Sequence, residues 1–176
     1  MSTPAQPLVP AVASPLVRAH DLAKTFDVSA PWLNRVIERK PRALLHAVDG
    51  VGFEIARGQT LALVGESGCG KSTVARLLVG LYAPTRGGFT FDGQDAHAAF
   101  QGKEARALRR RIQMIFQDPY ASLNPRWRVA DIVGEPLREH GLITGKAALE
   151  ARVDELLTCV GLSPQDMAKY PHQFSG

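Results

Sequence analysis

The sequence has only two cysteines in 176 residues, too few for a disulfide framework. Cys69 and Cys159 are far apart and match no metal-binding spacing, so we expect a reduced, cytosolic protein. No apolar run approaches the ~20 residues that a membrane-spanning helix requires. The segment Met1–Pro15 lacks the basic start and apolar centre of a signal peptide. Any association with a membrane is therefore expected to depend on a partner.

Long runs of one charge and internal repeats are also missing. The net charge of +4 and the pI near 9.3 invite a nucleic-acid interpretation. The densest basic cluster, however, consists only of Arg106, Arg109, Arg110 and Arg111. This cluster is more typical of a solvated helix end. With 45% hydrophobic and 22% charged residues, the composition fits a soluble globular domain large enough to bury a core.

The most informative stretch fits the phosphate-binding pattern G-x-x-x-x-G-K-[ST]. It consists of Gly65, Glu66, Ser67, Gly68, Cys69, Gly70, Lys71, Ser72 and Thr73. The apolar run Thr60–Val64 precedes it and predicts a strand. The helix-period segment Val74–Leu81 follows, which gives the strand–loop–helix context of a P-loop. A glycine-rich turn that matches by chance is the alternative, and the flanking pattern makes it the weaker one.

The residue types in this stretch suit phosphate chemistry. The glycines allow successive backbone N–H groups to turn inward and form an anion-binding concavity. The following helix adds its positive N-terminal end. Lys71 is predicted to bind the β- and γ-phosphates, and the Ser72 hydroxyl to ligate Mg²⁺. The sequence therefore predicts a protein that binds a nucleoside triphosphate.

The rest of the chain predicts an α/β core followed by a helical section. Met1–Pro15 is interpreted as a disordered tail and Asp27–Arg42 as an inserted loop, with a turn at Pro84–Gly88. Strands are predicted at Leu16–Leu22, Leu44–Ile55, Gly88–Gly93 and Ile112–Phe116. Helices are predicted at Lys103–Arg111, Val129–Glu139 and Lys146–Val160. The last of them carries an apolar stripe of Leu149, Val153, Leu156, Leu157 and Val160.

Gln117 follows the predicted strand Ile112–Phe116, and the chain ends in Phe-Ser-Gly. Together with the phosphate loop, these features resemble an ATP-binding subunit of an ABC transporter, from about Leu16 to Gly176. The segment Gln117–Pro125 is similar to the branch that energises uptake of dipeptides, oligopeptides and, in some relatives, nickel. The insert after Phe26 suits that branch as well.

The resemblance implies an α/β P-loop NTPase cassette core with an N-terminal antiparallel β subdomain and a partial helical subdomain. The implied division is a tail at residues 1–15, an ATP-binding core at 16–126 and a helical subdomain at 127–176. The family's C-terminal half would then be missing. In the family, the rest of a signature motif, a Walker B strand with Asp and Glu, and a switch His follow the position of Gly176. His172, Asp131 and Glu135 do not match these residues. The chain is therefore expected to bind ATP weakly and to hydrolyse it negligibly.

The resemblance also implies roles for single residues. Phe26 matches the aromatic residue that stacks on adenine, although a phenylalanine at the edge of the core is the alternative. Gln117 matches the Q-loop glutamine, which contacts Mg²⁺ or the attacking water. Ser175 and Gly176 match the start of the signature motif, which clamps the γ-phosphate of a second cassette. The segment from Val129 onward matches the helical subdomain that receives the partner's coupling helix.

The partners implied are transmembrane permease subunits, a second identical or paralogous ATP-binding subunit and, indirectly, an extracytoplasmic substrate-binding protein. No nucleic acid is expected, and the implied location is the cytoplasmic face of the inner membrane. Two alternatives stay open. One is a nucleotide-binding module that regulates a partner without hydrolysis. The other is a soluble ABC-type ATPase that acts on DNA or ribosomes, although such proteins usually carry coiled-coil insertions or a second cassette.

Overall fold

The computed structural model describes residues 14–30 and 41–174. The predicted tail lies almost wholly outside these ranges, as do the centre of the predicted insert and the residues Ser175 and Gly176. The fold divides into two compact units, one ending at Gln113 and the other beginning at Met114. Each unit is described by itself. The domain boundary predicted after residue 126 stays a prediction.

The first unit is built on an antiparallel sheet. Its strands are β1 (Val17–Asp27), β2 (Leu44–Ile55), β3 (Arg86–Phe91) and β4 (Gln94–Asp95), in the order β2-β1-β3-β4. The alternating pattern of β2 predicted its bounds correctly. Strand β3 begins at Arg86 rather than at the predicted Gly88, because Arg86 pairs with Ala23 of β1. The antiparallel β subdomain is thus confirmed.

Strand β1 contains an extra residue near Asp21. The register shifts between Ala19 and Leu22 against β2, and between His20 and Ala23 against β3. Asp21 has a positive φ of 44°, as expected where an extra residue bends a strand. Since side chains alternate along a strand, Leu22, Lys24 and Phe26 share one face beyond this bulge.

An ion-pair cluster holds the bulge. Arg86 donates to both carboxylate oxygens of Asp21, at 2.7 and 3.0 Å, and to Asp49 at 3.0 Å. The hydrogen bond from Arg86 lowers the pKa of Asp21. Gly87 has a φ of 66°, and a Cβ atom there would lie 2.0 Å from the Asp21 carbonyl oxygen. Only glycine fits this close approach of the two strands.

Three helices complete the described part of the first unit: α1 (Lys71–Leu78), α2 (Ala96–Gln101) and α3 (Ala105–Arg111). The Asp95 carboxylate caps α2 by accepting the Ala98 N–H at 2.8 Å. Helix α1 packs Leu77 against the sheet, where it is as fully buried as Leu22. Burying one such leucine side chain contributes about 1.5–3 kcal/mol. The same core includes Val74, Phe89, Phe91, Phe100 and Leu108.

Two of the strand predictions are wrong. Thr60–Val64 and Ile112–Phe116 form neither strand nor helix, and neither pairs with a strand in the described residues. Val64 is 93% exposed and Ile115 is 90% exposed. An apolar, β-branched run is stable as a strand only when a neighbour supplies its ladder of hydrogen bonds. That neighbour is not among the strands described here.

The second unit is helical. It contains α4 (Pro119–Ser122), α5 (Val129–Glu139) and α6 (Lys146–Cys159), followed by two 3₁₀ helices at Pro164–Ala168 and Pro171–Phe174. The predicted bounds of α5 are correct. In α6, Val153 and Leu157 are buried as the apolar stripe predicts. Val160 is an exception, because it follows the helix end and is 70% exposed.

An acidic side chain fixes the start of the first 3₁₀ helix. Asp166 accepts the Ser163 N–H at 2.7 Å and pairs with Lys169 at 2.6 Å. The bond from the Ser163 N–H belongs to a capping box between Ser163 and Asp166, which satisfies backbone donors at the start of the helix. The hydrogen bond from Lys169, with that from the Ser163 N–H, lowers the pKa of Asp166.

Candidate functional site

The predicted phosphate loop lies in the first unit and leads directly into α1. Gly68 and Gly70 have positive φ values of 86° and 96°, which side-chain-bearing residues seldom adopt. A Cβ atom at Gly70 would lie 2.3 Å from the carbonyl oxygen of Ala47 on β2. Position 70 therefore requires glycine for two reasons: the positive φ and the close packing against the sheet.

The start of α1 offers donors to an anion. Gly70 occupies the N-cap position and has no side chain to cap the helix. The first N–H groups of a helix lack intrahelical acceptors, and its N-terminus carries a partial positive charge. Residues 65–69 of the loop are exposed. An exposed concavity of backbone donors at a helix N-terminus is suited to a phosphate group.

Lys71 is held over this loop. Its ammonium donates to the carbonyl oxygens of Gly65 and Glu66, both at 2.7 Å, and lies 3.4 Å from the Cys69 thiol. These contacts place the cation against two carbonyl oxygens of the phosphate loop. Ser72, in the first turn of α1, is exposed, and its hydroxyl is an oxygen ligand of the kind that Mg²⁺ prefers. Thr73 follows on the same helix and is partly buried.

Phe26 lies near the end of β1. It pairs with Leu45 of β2, two residues before the Ala47 carbonyl that faces Gly70. Its half-buried ring meets the ring of Tyr82 edge-on, with centroids 5.2 Å apart and an interplanar angle of 78°. Phe26 therefore lies in the same unit as the phosphate loop, on the strand that pairs with the strand facing Gly70. Sequence reasoning missed Tyr82, since no local pattern marks a contact between residues so distant in the chain.

Gln117 belongs to the second unit and is exposed. It precedes Asp118, whose carboxylate accepts the Ala121 N–H at 3.0 Å at the start of α4. The structure therefore places Gln117 in a bend just before a short helix. Ser175 and Gly176 lie outside the described residues. The roles predicted for these three residues stay predictions.

The second unit also has an apolar groove of about 510 Å³. Helix α5 and the second 3₁₀ helix contribute most of its lining. The lining residues are Leu123, Val129, Ile132, Val133, Leu162, Pro171 and Phe174. A concave apolar surface of this kind suits an apolar helix or loop from a partner. Within residues 14–30 and 41–174, every helix is too short or too polar to traverse a bilayer.

A P-loop packed on an antiparallel sheet and followed by a helical unit defines an ATP-binding cassette. The fold resembles that of the ATP-binding cassette MJ0796 in a dimeric post-hydrolysis structure with ADP and Pi. The TM-score is 0.68 at 22% identity, over 90% of this chain and 63% of that chain. Residues 48–176 match the family described as ABC transporter. The chain belongs to that family.

Curated relatives of known description are more similar in sequence. The putative oligopeptide transport ATP-binding protein YkfD of Bacillus subtilis is 55% identical over 92% of this chain and 46% of its own length. OppF of the same species, an oligopeptide transport ATP-binding protein, is 50% identical over 77% and 45%. The glutathione import ATP-binding protein GsiA of Escherichia coli K12 is 48% identical over 92% and 25%. The chain thus spans about half or less of the length of these relatives.

Proposed function

We propose that this chain is the ATP-binding part of an importer that couples ATP binding and hydrolysis to the uptake of dipeptides or oligopeptides. The observation that carries the proposal is the phosphate loop, in which Lys71, glycines with positive φ and the N-terminus of α1 converge. The relatives named above support the transport context, because two are described as oligopeptide transport proteins and one as a glutathione importer.

The residues of the loop divide the work of holding the nucleotide. Backbone N–H groups of residues 65–70 donate to the phosphate oxygens, and Lys71 supplies a positive charge at the β- and γ-phosphates. Phe26 offers an aromatic face to the adenine ring. Ser72 would hold Mg²⁺, which neutralises charge on the phosphates when bound. For Gln117, the family resemblance alone supports the role of contacting Mg²⁺ or the attacking water.

The proposed partners follow from the second unit and the relatives. The apolar groove beside α5 would receive a helix from a transmembrane permease subunit. Ser175 and Gly176 would contact the nucleotide of a second ATP-binding subunit. An extracytoplasmic binding protein would deliver the peptide to the permease. The chain would then act at the cytoplasmic face of the inner membrane.

Residues 1–176 taken alone are expected to bind ATP and to hydrolyse it negligibly. Phosphoryl transfer requires a positioned water, metal and general base together. No carboxylate of this sequence matches the family's catalytic Glu. Robust steady-state release of phosphate by the purified 176-residue polypeptide would contradict this expectation.

The decisive test of nucleotide binding is the substitution Lys71→Ala in the protein assembled with its native partners. Each charge-assisted hydrogen bond contributes about 1.5–3 kcal/mol. The variant should therefore bind Mg-ATP about 10- to 100-fold more weakly in calorimetric titration. Lys103→Ala is the matched control, because Lys103 is an exposed lysine of the same unit outside the loop. Equal affinities of the two variants would refute the proposed site, and peptide uptake into vesicles would test the transport step.

A further inference from the structure

Phe26 belongs to a cluster of side chains with Tyr82, Lys24 and Arg76. The family resemblance does not explain these contacts. Tyr82 follows α1, and its backbone N–H donates to the Arg76 carbonyl oxygen at 3.3 Å. This turn brings the Tyr82 ring edge-on to the ring of Phe26. Edge-to-face pairs are favourable because the positive edge of one aromatic ring meets the negative face of the other. The contact therefore restrains the tilt of the Phe26 ring.

Two cations complete this cluster of side chains. The Lys24 Nζ atom lies 5.1 Å from the centroid of Phe26 and 5.8 Å from that of Tyr82. It also donates to the Ala83 carbonyl oxygen at 2.8 Å. The Arg76 guanidinium lies 5.9 Å from the Tyr82 centroid and donates to its hydroxyl at 3.5 Å. Lys24 thus covers one face of Phe26, while Arg76 ties Tyr82 to α1.

The same helix carries the phosphate-binding groups. Arg76 lies on α1, which begins at Lys71 and follows the loop. The end of β1 is fastened to the turn after α1 by further hydrogen bonds, from the Thr85 N–H to the Ala23 carbonyl at 2.8 Å and from the Thr25 N–H to the Thr85 hydroxyl at 3.0 Å. The position of the Phe26 ring is therefore fixed relative to the helix that holds the phosphates.

We propose that Tyr82 is a positioning residue for nucleotide binding, which holds the Phe26 ring at the tilt needed to stack on the adenine base. The proposal rests on the proposed role of Phe26. In this proposal Tyr82 acts through Phe26 rather than through a contact of its own with the nucleotide. Holding the ring in advance saves the conformational entropy that a freely rotating side chain would lose on binding. The contribution of Tyr82 then depends on a ligand that has a base.

The test compares two ligands in the full-length chain, ATP and inorganic triphosphate, which lacks a base. Tyr82→Leu retains an apolar side chain and removes the ring edge, and it should weaken ATP binding about three- to tenfold. Triphosphate binding should change less than about twofold. Tyr82→Phe should restore ATP binding, because it keeps the ring. Leu81→Ala is the matched control, since Leu81 is the exposed neighbour of Tyr82.

A double-mutant cycle tests whether Tyr82 acts through Phe26. Phe26→Ala should weaken ATP binding, and adding Tyr82→Leu should cause no further loss. Additive losses would overturn the proposal, as would equal losses for both ligands in Tyr82→Leu or unchanged ATP affinity. A wild-type chain that binds ATP no more tightly than triphosphate would refute the role of Phe26 and, with it, that of Tyr82. A wild-type chain that binds neither would refute the nucleotide site itself.

Discussion

Replacing Gly70 by alanine should damage the first unit more than any similar change within the phosphate loop. Two costs combine at this position. The φ of 96° is a left-handed conformation that costs a side-chain-bearing residue about 1–2 kcal/mol. In addition, the new Cβ would lie 2.3 Å from the Ala47 carbonyl oxygen, whereas real Cβ contacts are essentially never under 3.0 Å. The loop and β2 must therefore separate by several tenths of an ångström.

Gly68 provides the matched control for this prediction. Its φ of 86° imposes a similar backbone strain, but a Cβ atom there would meet nothing within 4 Å. Gly68→Ala should therefore cost only the strain, about 1–2 kcal/mol. Forcing an extra group into a packed contact adds about 1–3 kcal/mol. Gly70→Ala should then lower the free energy of unfolding by about 2–5 kcal/mol.

Urea denaturation of the two variants measures this difference. The unfolding transition can be followed by far-ultraviolet circular dichroism. Equal losses of stability in Gly68→Ala and Gly70→Ala would show that the clash of the added Cβ atom with the Ala47 carbonyl oxygen does not affect the free energy of unfolding. The reasoning about the loop's packing against β2 would then be refuted, although the phosphate-binding proposal would stand on its own test.

Two further predictions concern stability. Leu77→Ala should lower the free energy of unfolding by about 2–5 kcal/mol, because the fully buried leucine joins α1 to the sheet; urea denaturation measures the loss, and a change below about 1 kcal/mol would contradict this packing. The pKa of Asp166 is lowered in the fold by Lys169 and the Ser163 N–H. The carboxylate therefore stabilises the second unit above the pKa of the unfolded state, and this contribution is lost as the pH falls through the lowered value. Asp166→Asn should reduce thermal stability at pH 7 and reduce it less near pH 3; an equal deficit at both pH values would contradict the assignment.

The sequence predicted the elements whose determinants are local. The bounds of β2 and α5 agree with the structure, because alternation and helical spacing are properties of each segment alone. The phosphate loop was recognisable for the same reason. The structure adds that Gly70 also clears the backbone of β2, a requirement that depends on a strand distant in the sequence.

Errors arose where a property depends on a distant neighbour. The segments Thr60–Val64 and Ile112–Phe116 have strand-like composition, yet a strand exists only when another strand pairs with it. No local pattern shows whether that partner is present. The family resemblance points to Phe26, whereas its contacts with Tyr82 and Lys24 are visible only in the fold. The hydrophobic periodicity of a sequence does not reveal tertiary contacts of this kind.

The extra residue in β1 determines which side chains lie on the face of the sheet that Leu22 and Phe26 share. Alternation means that a strand shortened by one residue presents the opposite set of side chains to each face. Without Asp21, the face of the sheet on which Phe26 meets Tyr82 would receive a neighbour of Phe26, Thr25 or Asp27. The ring proposed for stacking would then be replaced by a hydroxyl or a carboxylate. The length of the chain between Ala19 and Leu22 would therefore influence the proposed nucleotide site from a distance.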